Sequence, residues 1–543
     1  MSLVEIRLTQ KGGYPRFLLK IRGIKLVDIK KIVNLSVLTS FSELFNEKLT
    51  INEHLSQGWD FSDLSLLSAL SFYENEKDYL NDWVRKNISY FPETKSIFGR
   101  SERLQAWKLI LSKSSKLKAL SNKERVINLV KLFTLINDSD SGNYNTNHKF
   151  SLGFINNYRD RYISQYYRST NIFLSEGFLN EYGDIFKKEY DVTVSEYFHV
   201  IHSIIGYYNN SKKRIEYFDS YESLSWQLNI QEMTKSLNIE KDVYDKVMNC
   251  ISFDLKEGKT FSSETLDNRN DFSLFRNKPF LKLSDDIYIP IDGKLVEDLQ
   301  FNNLFYKFKD LSDNTFTPKF GFYFEKYIQS ITGLAIESSQ KHKYVMIPEF
   351  KYKKGQCKSP DIILLTHNEN SVLVVEVKSA RVLAQVTDSD NDEGSLIKSL
   401  VKLKENPWVQ AVNSISEIKR LKLNKEINDD KDYHFLSVTM NDIPMSLIDV
   451  EVKNQDNENV TDIFFSMNVE AYEVLLEIIS SDPEYNVVDI LRKYNIHKKT
   501  MSIKTYLARL KKDLKVRNAP LISHMKDSQF NSIYFLSGLE KNN

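Results

Sequence analysis

The chain has 543 residues, enough at roughly 100–200 residues per domain for about three domains and at least one large core. Its 74 Lys and Arg nearly cancel 73 Asp and Glu, which excludes a polycation that coats nucleic acid indiscriminately. Two cysteines, Cys250 and Cys357, exclude a disulfide framework or a zinc ribbon and suit a reducing compartment.

The opening segment, 1–58, begins "MSLVEIRLTQ", with no basic stretch ahead of an apolar core, so a signal peptide is not expected. No apolar run approaches the roughly 18–20 residues that cross a bilayer. A cytoplasmic protein with no membrane partner is the expectation. "LVEIRLTQ", the turn "KGGYPR" and "FLLKIRGIKLV" read as a β-hairpin. From 59 to 275 apolar residues recur every three or four positions, as in "KERVINLVKLFTLI", and predict a mainly helical region with a recognition, partner or regulatory role. The polar run 137–149 predicts a loop inside it. Aromatic residues crowd 157–178, where helical spacing favours a core over a base-stacking surface. His199 and His202 share a helix face but lack evident further ligands, so packing explains them better than metal. Segment 276–314 contains two short strands around an Asp-Asp turn.

Residues 315–482 change pattern. A helix is predicted over 317–333, then a strand "YVMIPEFKY", a polar loop "KKGQCKS", and two apolar strands "DIILLT" and "VLVVEVKS" separated by "HNEN". An acidic loop leads to a helix near 407–422, followed by strands "YHFLSVTM" and "IDVEVKN" and a helix "EAYEVLLEIIS". The fold class expected is α+β or α/β, multidomain: a largely helical N-terminal region, then an α/β core whose mixed sheet is flanked by helices. No fixed-period repeat, phosphate-binding "GxxxxGK[ST]" loop or paired "CxxC" motif is present.

Three charges sit at the ends of the two apolar strands: Asp361, Glu376 and Lys378. Side chains alternate across a strand, so Glu376 and Lys378 share a face and Val377 takes the other. If "HNEN" is a four-residue hairpin loop, Thr366 pairs with Ser371 and Asp361 falls opposite Glu376, with Cβ atoms about 5 Å apart. A five-residue loop would put Asp361 opposite Val377, on the wrong face. Two carboxylates so close repel unless a cation lies between them. Mg²⁺ or Mn²⁺, with oxygen ligands and retained waters, answers that need, and Lys378 can hold one of the waters. The same triplet recurs at Glu451 and Lys453 but lacks a Pro-Asp on a neighbouring strand, and reads as ordinary strand.

Pro360-Asp361 followed by Glu376-Val377-Lys378 at the end of an apolar strand resembles the PD-(D/E)xK nuclease superfamily, whose fold is the restriction-endonuclease-like α/β core. The resemblance covers roughly 165 residues. It implies divalent-metal hydrolysis of a nucleic-acid backbone, with Asp361 and Glu376 binding metal, the Val377 carbonyl as a further ligand and Lys378 positioning water. It also implies an acidic residue on the preceding helix, Glu325, with Glu337 and Glu349 as alternatives. A Gln on the following helix, Gln410, is implied as well, with Gln385 as its competitor.

The tail, 483–543, is basic: from residue 484 it holds 12 Lys and Arg against 5 Asp and Glu. Ile503, Leu507, Leu510 and Leu514 form one helical stripe. Lys498, Lys499, Lys504, Arg509, Lys511, Lys512 and Lys515 are candidates to hold phosphates, weighed evenly against a solvated face of a packed helix. The expected function is an Mg²⁺- or Mn²⁺-dependent nuclease acting on nucleic acid, DNA before RNA, in the manner of a restriction or antiviral-defence effector. Cutting both strands of a duplex favours a homodimer, and the helical region is expected to hold a target or partner protein. The alternative is a binding or scaffold protein that kept the fold without catalysis.

Overall fold

The computed structural model describes residues 20–26, 37–72, 76–93, 95–113, 121–139, 160–211, 226–236, 239–366, 369–383, 386, 393–444, 448–453, 458–517 and 519–537. The chain is α+β, predominantly helical, with mixed sheets flanked by helices. Among the described residues no helix is long and apolar enough to cross a membrane.

A five-stranded sheet organises the second half. Helix α1 (Phe316–Glu337) precedes strands β1 (Tyr344–Pro348), β2 (Ile362–Thr366) and β3 (Ser371–Lys378). Helix α2 (Asn406–Arg420), strands β4 (Asp432–Thr439) and β5 (Phe464–Asn468), and helix α3 (Val469–Ser480) follow. The sheet order is β5-β4-β3-β2-β1. β2 runs antiparallel to both β1 and β3, and β4 and β5 join parallel to β3. The central strands β2 and β3 are nearly continuous apolar runs because helices cover both their faces.

Side-chain alternation sorts the sheet cleanly. Ile362, Leu364, Leu373, Val375 and Val377 pack toward α1 and α3, while Ile363, Leu365, Val372 and Val374 pack toward α2 through Trp408, Ala411 and Ile415. In α1, Phe316, Phe320, Phe324, Tyr327, Ile328 and Ile331 are buried at helical spacing, so one stripe faces the sheet and the helical region. Trp408 anchors α2 by donating its indole N–H to the Phe465 carbonyl at 2.8 Å. Between β1 and β2 the expected polar loop is itself a short hairpin, Lys351–Tyr352 against Cys357–Lys358, turned by Lys353, Lys354 and Gly355 at φ of 50°, 54° and 86°.

The helical region is helical as expected, but also holds a four-stranded sheet. The two strands expected around the Asp-Asp turn, Phe280–Lys282 and Ile287–Pro290, are joined by Leu228–Asn229 and Ser252–Asp254. The crowded aromatics are core: Tyr166, Tyr167, Phe173 and Phe178 are buried. His202 packs against Tyr162 and Tyr166, and its Nδ1 hydrogen-bonds the Tyr162 hydroxyl. Strand Lys20–Leu26 pairs with Ile448–Lys453 in a separate two-stranded ribbon, which leaves Glu451 and Lys453 outside the five-stranded sheet. Its expected hairpin partner "LVEIRLTQ", most of the 137–149 loop, His367, Gln385 and most of the acidic loop lie outside the described residues.

One continuous apolar cluster joins the helical region, α1, the α1-facing side of the sheet, α3 and the tail. Charges reinforce this junction. Glu470, Glu473 and Glu477 form one face of α3 and are fully buried. Arg161 lies 2.6 Å from Glu470 and 2.5 Å from Glu477, while Arg168 lies 2.9 Å from Glu473 and 3.2 Å from Asp160. Tyr327 of α1 donates to Glu473 at 2.7 Å. From the tail helix α5 (Ile503–Asp513; α4 is Val487–Asn495), Lys511 reaches Glu477 at 2.5 Å and Lys504 approaches Asp160 at 3.9 Å. Removing one side of a buried pair strands the other, at a cost of about 3–5 kcal/mol. Arg168→Met is accordingly expected to lower stability by about 3–5 kcal/mol, measured as the shift in free energy from urea unfolding curves.

Candidate active site

The register of β2 and β3 decides where the charges fall. Ile362 pairs with Val375 and Leu365 with Val372, which is the register of a four-residue connection. Continued one step, it sets Asp361 opposite Glu376. The β1–β2 ladder, in which Ile362 pairs with Pro348, continues the same way and sets Glu349 opposite Asp361. A backbone hydrogen bond from Glu349 N–H to the Asp361 carbonyl, 3.2 Å, confirms the alignment. Glu349, Asp361 and Glu376 thus occupy one rung across three adjacent strands, on one face. Lys378 follows two residues after Glu376 on that face, its Nζ 2.6 Å from Glu376 Oε1.

Helix α1 supplies the fourth acid. Gly321, Glu325 and Gln329 follow one another at four-residue intervals, a single stripe. A Cβ built at Gly321 would lie 3.4 Å from the Ser379 hydroxyl, so the helix passes close to the end of β3. One turn on, Glu325 offers a carboxylate oxygen that lies, with one each from Glu349 and Asp361, in a group mutually within 4.8 Å. Two turns on, Gln329 donates its amide to the Asp361 carbonyl at 3.2 Å. Asp361 is fixed from the other side as well, since its Oδ2 accepts the Val377 N–H at 2.6 Å. A strand residue turns its N–H and C=O to the same edge, so the Val377 carbonyl is also directed toward the β2 side.

Electrostatically the cluster is overloaded. Burial, with Asp361 adding to it, pushes Glu376 up to about 8, and burial and Asp361 push Glu325 up to about 7. Burial also raises Asp361, against the pull of Lys378 and the Val377 N–H. Burial draws the Lys378 ammonium down, but Glu376 and Asp361 together outweigh it and hold the group above its ordinary value. Glu376 is 1% exposed and its Oε2 has no hydrogen-bond partner among the described residues. Glu349 is steadied by Lys358, 3.0 Å away. Four carboxylates thus gather with two lysines, Lys378 at Glu376 and Lys358 at Glu349, and one buried carboxylate oxygen is unfilled. That donor set, all oxygen and excess negative charge, fits a hard divalent cation such as Mg²⁺ or Mn²⁺.

Asp361, Glu376, Lys378 and Glu325 are brought together as expected from the sequence. Glu349, set there as an alternative to Glu325, joins it instead; extending the strand register to "YVMIPEFKY" would have found it. Gln329 was missed altogether. Gln410 is not brought in: it is exposed on α2, because Trp408, Ala411 and Ile415 occupy the sheet-facing side. The tail lysines divide. Lys504 and Lys511 turn toward the α3 acids and Lys498 lies 2.5 Å from Asp462, whereas Lys499, Arg509, Lys512 and Lys515 are exposed. Comparison with protein-family models, curated proteins and solved structures gives no match.

Between about pH 4.5 and about 8 the folded protein retains a proton at Glu376 that the unfolded chain releases, so this group lowers stability as pH rises through that window. In metal-free protein Glu376→Gln is expected to raise stability near pH 8 by at least about 1.4 kcal/mol, the equivalent of one pKa unit, and to change little near pH 5. Urea unfolding at the two pH values measures it.

Proposed function

We propose that this chain is a divalent-metal-dependent nuclease built on a restriction-endonuclease-like core. The observation that carries the reading is the rung Glu349–Asp361–Glu376 with Lys378 beside it, a grouping with no packing role that would account for so much buried negative charge. The element order supports it: a helix, three antiparallel strands, a helix and a parallel strand follow the PD-(D/E)xK arrangement that the motif residues resemble.

In this reading Asp361, Glu325 and Glu349 hold the metal through their grouped oxygens, with Glu376 and the Val377 carbonyl completing the set. A bound Mg²⁺ or Mn²⁺ supplies Lewis acidity, lowering the pKa of water and offsetting charge on phosphate. Lys378 donates hydrogen bonds from Nζ, holding a water for in-line attack and meeting a phosphate oxygen. Gln329 and the Val377 N–H keep Asp361 oriented. Phe322, exposed and capped by the Lys326 ammonium 4.2 Å from its ring centroid, stands on α1 next to Glu325 and offers a base-stacking and phosphate contact. Lys499, Arg509, Lys512 and Lys515 add a diffuse phosphate-binding surface. DNA is the favoured substrate, with a role in cytoplasmic restriction or antiviral defence and a homodimer for duplex cutting; these rest on analogy with the superfamily.

Because protons compete with metal for raised carboxylates, Mn²⁺ affinity is expected to rise at least tenfold, about 1.4 kcal/mol, from pH 6.5 to 8.5, with proton release on binding. Calorimetry in buffers of different ionisation enthalpy measures both, and Asp361→Ala is expected to abolish the tight site. Purified protein incubated with plasmid, single-stranded DNA and RNA, with and without Mg²⁺ or Mn²⁺, tests the activity itself. Metal-dependent cleavage is expected, reduced at least about 100-fold in Lys378→Ala, near 3 kcal/mol of barrier. Undiminished cleavage by that variant overturns the assignment, and binding without cleavage by the parent points to the scaffold alternative.

A further inference from the structure

A cavity of about 520 Å³ opens in the helical region, its walls including Tyr190, Cys250, Asn277, Asn303, Tyr306 and Lys307. Its size falls within the roughly 300–1,000 Å³ that small-ligand pockets occupy. Two of its lysines are already matched: Lys246 lies 2.9 Å from Asp191 and 2.7 Å from Asp242, and Lys278 lies 2.8 Å from Glu257. Lys307 differs. Among the described residues no ion pair engages it; its ammonium donates to the Cys250 carbonyl at 2.9 Å and lies 5.0 Å from the Tyr190 ring centroid. Burial draws this ammonium down to about 8, further than Cys250 and Asp310 on the same wall raise it.

Asn303, 7% exposed, points the same way. Its amide nitrogen donates to the Arg276 and Asn277 carbonyls at 2.8 and 3.0 Å, which fixes the side chain, and its Oδ1 has no donor. A buried acceptor left empty is costly unless a ligand fills it. Glu189, Asp191 and Asp310 also line the cavity, yet no ion pair among the described residues holds Lys307, which leaves it to meet an anion, while Asn303 can take an N–H donor and Tyr190 and Tyr306 a flat ring. A nucleotide carries all three, in its phosphate, its exocyclic amine or imide and its base.

The same segment holds the chain just beyond the candidate active site. Arg381, three residues after Lys378, is buried; it donates to Asn302 Oδ1 at 3.1 Å, and its guanidinium lies 4.0 Å from the Phe305 ring centroid and 5.0 Å from that of Tyr306. Asn302 and Tyr306 are the chain neighbours of Asn303 and Lys307, and Phe305 lies between the two.

We propose that this cavity is a nucleotide-binding regulatory site, in which Lys307 takes the phosphate, Asn303 reads the base, and the 302–306 segment transmits occupancy to the end of β3. Binding stands independently of the nuclease reading; its effect on the carboxylate cluster rests on that reading. Calorimetric titration of the full-length protein with AMP, GMP, CMP and UMP, alongside inorganic phosphate, tests the site without reference to cleavage. At least one nucleotide is expected to bind saturably, at least tenfold tighter than phosphate and at least tenfold weaker to Lys307→Met. Lys307→Gln serves as the second variant should the first not fold. No binding by any of the four, or binding untouched in a folded Lys307 variant, overturns the site; equal affinity for phosphate alone overturns base reading by Asn303. The bound nucleotide is expected to change Mn²⁺ affinity at least threefold in the parent and not in Asn302→Ala. Nucleotide binding with unchanged Mn²⁺ affinity removes the coupling and keeps the pocket. Nucleotide binding with intact Mn²⁺ coupling but no cleavage of any substrate removes the nuclease reading alone.

Discussion

Three carboxylates held on one rung of a sheet are the constraint around which the second half of this molecule is arranged. Strand pairing sets Glu349, Asp361 and Glu376 side by side whether or not their charges agree, because the ladder is fixed by apolar residues on both faces of β2 and β3. Water cannot relieve the repulsion, since Asp361 is 4% and Glu376 1% exposed. The protein answers with two amines, Lys378 at Glu376 and Lys358 at Glu349, and with fixed dipoles: the Val377 N–H on the Asp361 carboxylate and the Gln329 amide on its carbonyl. The remainder is left as raised proton affinity, a store of unfavourable charge that a divalent cation can discharge on arrival.

Rigid support is what makes such crowding sustainable. The face of the sheet lined by Ile362, Leu364, Val375 and Val377 is not roofed by a local helix alone. It belongs to a cluster that runs through α1, α3, the tail and the helical region, and the buried acids of α3 are matched by Arg161 and Arg168 from far upstream and Lys511 from downstream. Helical region, sheet and tail are in this sense one packed body, although their sequence patterns differ. The ionic contacts specify how the parts meet more than they add stability, because burying each charge costs nearly what its partner returns.

The central hairpin was legible in the sequence because it obeys simple counting. Alternation, two charged ends and a four-residue gap fixed Asp361 against Glu376, and the structure keeps that register. The third member of the rung was equally countable, since Glu349 lies within the expected strand "YVMIPEFKY", but nothing in that strand's own sequence fixes its register against β2. Other features depended on tertiary context that no window reveals. Nothing in the helix "EAYEVLLEIIS" itself marks Glu470, Glu473 and Glu477 as buried, and only the distant arginines explain it. Likewise the tail stripe was correctly apolar, but which lysines remain outside was decided by the acids beneath α5. Gln410 failed for a local reason: the bulky Trp408 two positions earlier claims the inward side of α2.

The pairing of Arg161 and Arg168 with acids some three hundred residues later has a consequence for biosynthesis. Early helices emerging from the ribosome carry guanidinium groups whose permanent partners are not yet made, and the sheet face they help to cover does not exist. Closure of the body must await translation of α3 and the start of the tail. A nascent chain therefore cannot assemble its four-acid cluster on a fully braced scaffold until translation has passed α3 and the start of α5, so the acids and the arginines that brace their support are made far apart in time.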